Sequence, residues 1–597
     1  MSTQVEEYYI GVDVGTGSAR AALVSSSGEI LAESSYPTTT YRDETNHDIF
    51  EQSTDEIWNS ISKACKDCLR ESGIDKSKVK GIGFDATCSL AVSDKSGNPI
   101  SIHSNPSTHP RNIILWADHR AKKETDLINS TGMNLLKYVG GTMSLEMEIP
   151  KILWLKNHLK SETFKSLMFF DLPDFLTFKA TGSLARSNCS LACKCSYVPP
   201  GVEGSEGWSS EFFKKIGLSE IAENDFEQVG GIPGKNGLIL TAGQPIGQGL
   251  SQKAAEELGL LPNTPVGSGV IDAYAGWIGT VAAKMEGEKE SSLKDSESRL
   301  CAIAGTSTCH IVQSHLPVFV PGVWGPYLHA IFPGYWMNEG GQSSTGQLLD
   351  FIIDTHPAVE KLKSLAKEQG LNHFVVLNNL LKSLCEEKKA PFLTYLTKDY
   401  YLYPDLHGNR SPLADPSMKG MLIGLTLDKS LNDLALRYLI TCEAIALQTK
   451  QIMVEMNQKG HQIRSIFMSG GLVKNPILME LLANVCDVPI QLPASHSASV
   501  VLGSAMLGKA AYVTTQDERY KSNQIIDNQV KAEKMSHEMK DKLWEIMVEM
   551  SRPGSTVKPN LEVNSKEKKL LDVKFKVFLE CIELQRKWRK MVNEALA

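Results

Sequence analysis

A stretch near the amino terminus, IGVDVGTGSARAALV, places Asp13, Gly15, Thr16, Gly17 and Ser18 between two apolar runs. Glycine turns expose backbone N–H groups that bind anions, and Thr and Ser hydroxyls add donors for phosphate oxygens. The Asp13 carboxylate would then hold a phosphate-bound Mg²⁺, directly or through water, because Mg²⁺ prefers few carboxylates and retained waters. An ordinary β-hairpin is the alternative, since it also needs turn residues between apolar strands. The stretch lacks the GxxxxGK[ST] spacing of a Walker P-loop.

A second stretch, LCAIAGTSTCHIVQS, repeats this order, with Gly305, Thr306 and Ser307 in the turn. The repetition predicts a duplicated core whose two halves face each other. Two facing hairpins would hold a polyphosphate from opposite sides. A third glycine turn, SIFMSGGLVKNPILMELLANV, joins a strand to a helix that is expected to start near Asn475.

Asp272 follows the apolar strand of GSGVIDAYAG and stands at the start of a helix. A carboxylate in this position can accept the proton of an attacking hydroxyl during phosphoryl transfer. Asp is also a good helix N-cap. The residues alone therefore leave a catalytic and a capping role open.

Strands and helices must position these turns. A third strand is expected near residues 30–36, followed by an amphipathic helix in STDEIWNSISKACKDCLRES and by a strand, a polar turn and a strand in KVKGIGFDATCSLAVSD. This mixture predicts an α/β architecture whose sheets are covered by helices. Cys65 and Cys68 have zinc-like CxxC spacing, but they lie in the amphipathic helix without a convincing partner set, so the helix is the favoured interpretation.

The bulk composition limits the class of protein. A chain of 597 residues exceeds the size of a single core, so two large domains are expected. With 42% hydrophobic residues, 22% charged residues and a net charge of -7, the chain argues against disorder and against a nucleic-acid partner. It has neither a secretion leader nor an apolar run of roughly 20 residues, which predicts a cytoplasmic protein without membrane contact. The twelve cysteines are therefore expected to be reduced.

A charged stretch, AKMEGEKESSLKDSES, interrupts the chain near its middle. It predicts a linker or exposed insertion, because it is nearly free of large apolar residues. The expected organisation is an N-terminal domain over residues 1–283, the linker over 284–298, a C-terminal domain over 299–512 and a helical C-terminal extension over 513–597. The role of the extension is open.

Several segments together resemble the FGGY carbohydrate kinases, and most closely their ribulokinase branch. In chain order they are GVDVGTGSARAALV, GFDATCSLAV, LWADHRA, GVIDAYAGWIG, AGTSTCHIV, NEGGQSSTGQLLD, HGNRSPLADP, KGMLIGL and MSGGLVKNP. The resemblance spans Tyr8 to Gly508. It implies two ribonuclease-H-like domains of the actin, heat-shock chaperone and sugar kinase superfamily, with ATP and sugar in the central cleft.

The resemblance also implies roles for individual residues. The two hairpins would bind ATP phosphates, Asp272 would be the catalytic base, and the segment RSNCSLACKCSYV would supply a substrate lysine. The implied adenosine motif consists of Gly470, Gly471 and Asn475. The implied sugar-binding residues are Asp85, Thr87, Cys88, Lys194, Asp272 and Glu339.

The function implied by the resemblance is ATP- and Mg²⁺-dependent phosphorylation of a free ketopentose, D-ribulose to D-ribulose 5-phosphate. L-ribulose, xylulose or another polyol is the alternative substrate. An alternative of another class is an actin- or chaperone-like protein that hydrolyses ATP to change shape, because the same hairpins would serve it. The expected partner is a small-molecule sugar, and homodimerisation stays open.

Overall fold

The structure is a computed structural model that describes residues 6–102, 110–520 and 528–597. The strands of the first half are β1 (Tyr8–Val14), β2 (Ser18–Ser25), β3 (Ile30–Pro37), β4 (Tyr41–Arg42), β5 (Phe50–Gln52), β6 (Val79–Ala86), β7 (Leu90–Ser93), β8 (Ile113–Ile114), β9 (Met168–Asp171), β10 (Arg186–Ser187), β11 (Ile239–Leu240) and β12 (Val266–Ile271). Those of the second half are β13 (Arg299–Ala304), β14 (Thr308–Ser314), β15 (Trp324–Leu328), β16 (Trp336–Gln342), β17 (Tyr401–Tyr403), β18 (Met421–Ile423), β19 (Ser465–Gly470), β20 (Ile490–Leu492) and β21 (Ser555–Val557).

Helices cover these strands. Those before the middle of the chain are α1 (Thr54–Ser72), α2 (Lys122–Ser130), α3 (Glu148–His158), α4 (Ser161–Ser166), α5 (Leu172–Thr181), α6 (Asn188–Lys194), α7 (Ser210–Ile216), α8 (Ser219–Glu223), α9 (Gln252–Leu258) and α10 (Asp272–Val281). The others are α11 (Gly346–Asp354), α12 (Val359–Gln369), α13 (His373–Glu387), α14 (Leu431–Lys459), α15 (Pro476–Cys486), α16 (Ser499–Gln516), α17 (Gln529–Met550) and α18 (Lys566–Leu596). Among the described residues, no helix has the length and apolar character needed to cross a membrane.

The two main sheets have the same core topology. In the first sheet the order is β12-β6-β1-β2-β3, with β12, β6 and β1 parallel and β2 and β3 antiparallel. In the second sheet the order β20-β19-β13-β14-β16 repeats this pattern, and β15 and β21 are added at its edges. The predicted α/β architecture with a duplicated core is therefore confirmed.

The amphipathic helix predicted from STDEIWNSISKACKDCLRES is α1, and it packs on β2 and β3. Its apolar residues recur at helical spacing, so Ile57, Ile61, Cys65 and Cys68 all face the core and are buried. The helix ends at Gly73, which adopts the left-handed conformation (φ 66°) that glycine tolerates best. The two cysteines therefore belong to the hydrophobic core of the first half.

Helix α16 belongs to the second half in sequence, but it packs on the first sheet and crosses α10. Glycines make this close approach possible. A Cβ atom on Gly83 would lie 2.0 Å from the carbonyl oxygen of Ser504, and one on Gly279 would lie 2.0 Å from that of Ser499. Residues of the predicted C-terminal domain, 299–512, thus complete the core of the first half. The packing of α16 therefore crosses the predicted domain boundary.

The C-terminal extension contacts both halves. Helix α17 packs on α16, and β21 pairs antiparallel with β20 at the edge of the second sheet. Helix α18 packs on α14 and α15, where the buried Lys574 ammonium pairs with the buried Glu443 carboxylate. The helical pattern of the extension is found in α17 and α18. Strand β21 was not predicted from the sequence, because a strand of three residues is too short to show a periodic pattern.

The charged stretch in the middle of the chain folds into a loop and a short 3-10 helix, Leu293–Ser298. The Ser292 and Asp295 side chains form a reciprocal capping box at its start. Glu288 pairs with the buried Arg299 guanidinium at 3.0 Å. This stretch is therefore tied to the first strand of the second sheet.

Candidate active site at the facing sheet edges

Three aspartates lie at one edge of the first sheet. Because β12, β6 and β1 are parallel, their carboxyl ends meet there, and Asp13 and Asp85 are register partners. Asp272 follows the last residue of β12. The Asp13 carboxylate accepts a hydrogen bond of 2.6 Å from Arg20 on the neighbouring strand, which partly balances its charge. The topology thus brings together three acidic groups that are far apart in sequence.

Burial, with a smaller contribution from neighbouring charges, changes the ionisation of Asp85 and Asp272. Burial raises the pKa of Asp85 well above its ordinary value, and the nearby charges of Asp13 and Asp272 add to the effect. Burial also raises the pKa of Asp272 to about 7, with a further contribution from Asp13. A carboxylate with a pKa near 7 is a far better proton acceptor than an ordinary aspartate.

The immediate surroundings of Asp272 bear on the capping alternative. The N-cap of α10 is Ile271, and Asp272 is the first residue of the helix. One carboxylate oxygen accepts a 2.7 Å hydrogen bond from the N–H group of Ala273. The side chain remains partly accessible to solvent. One carboxylate oxygen is therefore engaged by the helix, while the side chain keeps partial access to solvent.

The first glycine turn connects β1 and β2. Within the turn, the N–H group of Gly15 donates to the carbonyl oxygen of Ser18 at 3.0 Å, and Gly17 is exposed. The Thr16 hydroxyl accepts a 2.9 Å hydrogen bond from the indole of Trp116. Its proton therefore stays free to be donated to a phosphate oxygen.

Trp116 belongs to the LWADHRA segment, for which the sequence analysis gave no role. The buried Lys151 ammonium donates to the carbonyl oxygens of Leu115 at 2.8 Å and of Trp116 at 3.3 Å. These bonds fix the segment that supports Thr16. The contact joins residues 100 positions apart, so no local pattern could have predicted it.

The second glycine turn connects β13 and β14 and has the same form. The N–H group of Gly305 donates to the carbonyl oxygen of Ser307 at 2.8 Å, and Thr306 is exposed. The first turn of α11 packs against it, because a Cβ atom on Gly346 would lie 2.6 Å from the carbonyl oxygen of Gly305. Each half therefore presents an equivalent turn at the end of its first core strand.

The third glycine turn follows β19, the parallel neighbour of β13. A Cβ atom on Gly470 would lie 2.1 Å from the carbonyl oxygen of Ala304, whereas one on Gly471 would meet open space. Asn475 is buried and caps α15, and its amide donates to the Tyr438 hydroxyl at 2.8 Å. The two glycines thus lie at the same sheet edge as Gly305, while the polar atoms of Asn475 bind neighbouring protein groups.

The candidate sugar residues lie on several elements. Thr87 and Cys88 follow β6, where the N–H group of Thr87 donates to the carbonyl oxygen of Val14 at 2.9 Å. Both side chains are largely buried, and burial raises the pKa of the Cys88 thiol. Lys194 ends α6, and Glu339 lies on β16 of the other half. The Lys194 ammonium and the Glu339 carboxylate are 3.8 Å apart, so the two halves meet at this pair.

Two further residues contact the Lys194–Glu339 pair, and neither was predicted from the sequence to belong to the site. The Trp324 ring centre lies 4.1 Å from the Lys194 ammonium, and Trp324 is the register partner of Glu339. Arg410, from the HGNRSPLADP segment, donates to Glu339 at 2.5 Å. Burial alone would lower the pKa of Lys194, but Cys88 and Glu339 raise it above its ordinary value. The ammonium is therefore charged throughout the neutral pH range.

The donor set fits a nucleotide and its magnesium ion. Within the described residues, no three His, Cys, Asp or Glu side chains could hold a metal ion by themselves. A nucleotide-bound Mg²⁺ needs no such cage, because phosphate oxygens and water supply most of its ligands. Asp13, beside the first glycine turn, offers the carboxylate that such an ion requires.

Comparison with known proteins agrees with this geometry. Residues 8–279 match the N-terminal domain, and residues 300–512 the C-terminal domain, of the FGGY family of carbohydrate kinases. The chain is 43% identical to D-ribulokinase YDR109C of Saccharomyces cerevisiae, over 98% of this chain and 94% of that protein. It is 41% identical to the FGGY carbohydrate kinase domain-containing protein of Homo sapiens, over 99% and 98% of the two chains.

A solved structure shows the same fold. The xylulose kinase of Rhodospirillum rubrum superposes with a TM-score of 0.69 at 18% identity, over 98% of this chain and 99% of that one. The two-domain α/β fold implied by the ordered sequence segments is thereby confirmed. Both FGGY domains and near full-length relatives lead to one conclusion: the chain belongs to the FGGY family of carbohydrate kinases.

Proposed function

We propose that the protein transfers the γ-phosphate of ATP, with Mg²⁺, to the terminal hydroxyl of a free ketopentose, forming D-ribulose 5-phosphate from D-ribulose. The observation that carries the proposal is the position of Asp272, at the sheet edge that also bears the first glycine turn. A relative named D-ribulokinase, 43% identical over nearly the whole chain, supports the choice of sugar. Membership of a carbohydrate kinase family favours this function over an actin- or chaperone-like one.

In the proposed reaction Asp272 accepts the proton of the attacking hydroxyl as the oxygen approaches the phosphorus atom. The backbone N–H groups of the two glycine turns, with Thr16 and Thr306, stabilise the phosphate oxygens. When bound, Mg²⁺ would supply further neutralisation of phosphate charge beside Asp13. Approach of the two halves would exclude water, which otherwise competes with the sugar as acceptor.

A substrate panel tests the function. ATP consumption is measured with D-ribulose, L-ribulose, both xyluloses and several polyols, including glycerol. We expect the highest kcat/KM with D-ribulose. Preference for another ketopentose or a polyol would replace the sugar in the proposal, and ATP consumption that responds to no sugar would contradict the proposal itself.

The raised pKa of Asp272 predicts the pH dependence of kcat/KM for the sugar. A base must be unprotonated in the free enzyme, and the pKa of Asp272 is about 7. We therefore expect kcat/KM to level off above pH about 7 and to fall about tenfold per unit below it. The profile is measured at saturating Mg²⁺ and ATP. A plateau that extends unchanged to pH about 5, where an ordinary aspartate is still ionised, would show that the acting base does not have this raised pKa.

Replacing Lys194 by Met retains most of the side-chain stem and removes the ammonium. Because a hydrogen bond from a charged donor contributes about 1.5–3 kcal/mol, we expect the KM for D-ribulose to rise at least about tenfold. The KM for ATP should change much less, since Lys194 lies beside Glu339 and is assigned here to the sugar. Steady-state kinetics with each substrate varied in turn measures both constants. A larger rise in the KM for ATP than in the KM for D-ribulose would show that Lys194 does not bind the sugar.

A further inference from the structure

Arg410 is a buried cation beside Glu339 that the proposed reaction leaves without a role. Its guanidinium donates to one Glu339 oxygen, Oε1, at 2.5 Å. It also lies 3.6 Å from the Cys309 sulfur and 4.2 Å from the centre of the Trp324 ring. The side chain is thus held by a carboxylate, a thiol and an aromatic ring at once.

The second Glu339 oxygen, Oε2, is buried and accepts no hydrogen bond from the described residues. The Lys194 ammonium is 3.8 Å away, which is too far for a hydrogen bond. A hydroxyl oxygen to one side of this pair, about 2.8 Å from each atom, would accept a hydrogen bond from Lys194 and donate one to Glu339. The pair therefore offers one donor and one acceptor that a single sugar hydroxyl can use together.

The orientation of the Glu339 carboxylate decides whether its free oxygen lies beside the Lys194 ammonium. Arg410 binds Oε1, which leaves Oε2 to face Lys194. The strand that carries Glu339 makes room for the guanidinium, because a Cβ atom on Gly341 would lie 2.9 to 3.0 Å from Arg410 side-chain atoms. Glycine at that position keeps Arg410 against Glu339.

We propose that Arg410 is a positioning residue for sugar binding: it fixes Glu339 so that the free carboxylate oxygen and the Lys194 ammonium together receive one hydroxyl of the sugar. This inference rests on the proposed function of the same cleft. It gives the HGNRSPLADP segment a role in substrate selection.

The test replaces Arg410 by Lys, which keeps the charge but loses the planar donors that fix a carboxylate. We expect the KM and the Kd for the sugar to rise at least about tenfold, while the KM for ATP stays within about twofold. Arg299→Lys is the matched control. Arg299 is also buried, pairs with Glu288 at 3.0 Å and lies 4.8 Å from the Phe467 ring centre, but it begins β13, at the end opposite the glycine turn.

Analogues that each lack one hydroxyl sharpen the test. In the wild-type protein, one deoxypentulose should bind much more weakly than the parent sugar, while the other analogues lose less affinity. In Arg410→Lys, the difference in affinity between that analogue and the parent sugar should be smaller. Gly341→Ala, which would displace the Arg410 side chain without removing it, should raise the sugar KM in the same way. It serves as the second variant if Arg410→Lys does not fold, which a thermal melt shows.

The outcomes separate this inference from the proposed function. If the wild-type protein phosphorylates no sugar of the panel, both are overturned. If it phosphorylates a ketopentose and Arg410→Lys leaves the sugar KM unchanged, or moves it no more than Arg299→Lys does, only the role of Arg410 is overturned. An equal loss of affinity for every deoxy analogue in both proteins would also overturn it.

Discussion

Replacing Asp272 by Asn is expected to lower kcat for sugar phosphorylation by at least about 10²–10⁴-fold, the range typical of a lost general base. The amide has the same size and can still accept the 2.7 Å hydrogen bond from the Ala273 N–H group, so α10 should begin as before. It cannot accept the proton of the attacking hydroxyl. Nucleotide affinity should remain nearly unchanged, because the substitution removes no donor to phosphate. Turnover assays and calorimetric ATP binding measure the two effects.

Asp174 provides a matched control for this substitution. Its pKa is also raised to about 7 by burial, and it accepts a 2.8 Å hydrogen bond from the N–H group of Ser187. It lies in α5, which packs on β12, but its hydrogen bond is to Ser187 and not to a residue of α10. Asp174→Asn should therefore retain turnover and the fall in kcat/KM below pH about 7. Near-wild-type turnover of Asp272→Asn, or loss of the pH dependence only in Asp174→Asn, would show that the base has been assigned to the wrong residue.

The second large effect is expected at the crossing of α10 and α16. A Cβ atom on Gly279 would lie 2.0 Å from the backbone oxygen of Ser499, so Gly279→Ala must push the two helices apart. Overpacking of this kind typically costs about 1–3 kcal/mol of stability. Because Asp272 is the first residue of α10, the displacement should also lower kcat. A thermal melt and a turnover assay on the same preparation measure both effects.

Gly276→Ala, one helical turn earlier, is the control for this substitution. The three atoms nearest to its Cβ atom would all belong to side chains, the closest being a methylene carbon of Ile303 at 2.8 Å, and side chains can move. Both variants gain the same helix propensity, about 1 kcal/mol for Ala over Gly. Gly279→Ala should therefore melt at a clearly lower temperature than Gly276→Ala. Equal melting temperatures would mean that the backbone contact does not limit the approach of the helices.

Local patterns in the sequence were enough to predict much of the fold and part of the candidate site. Turns such as Gly15 to Ser18 could be predicted because glycines and hydroxyl residues interrupt apolar strands. The repeat of this pattern at Gly305 predicted the duplicated core that the two sheets show. The assignments of Lys194, Glu339 and the adenosine glycines came from the resemblance of ordered segments to a family. Their roles remain predictions.

Contacts between distant residues could not be predicted in this way. Arg410 reaches Glu339 across 71 positions, and Ser504 donates to Asp85 across 419 positions. No periodicity within a segment encodes such a pair, because the fold alone brings the partners together. Asn475 was assigned to the adenosine motif from the family resemblance, and this role remains a prediction; in the structure its amide donates to the Tyr438 hydroxyl.

The position of α16 has a consequence for synthesis of the protein. The first sheet is translated early, but the helix that covers one of its faces is Ser499–Gln516. While the intervening residues are being made, the glycine-lined face of β1 and β6 has no partner, and a nascent chain with exposed apolar surface is prone to aggregate. A nascent chain that stops before residue 499 therefore lacks the helix that completes the core of the first half. Productive folding of the first half must wait until most of the second half has been synthesised.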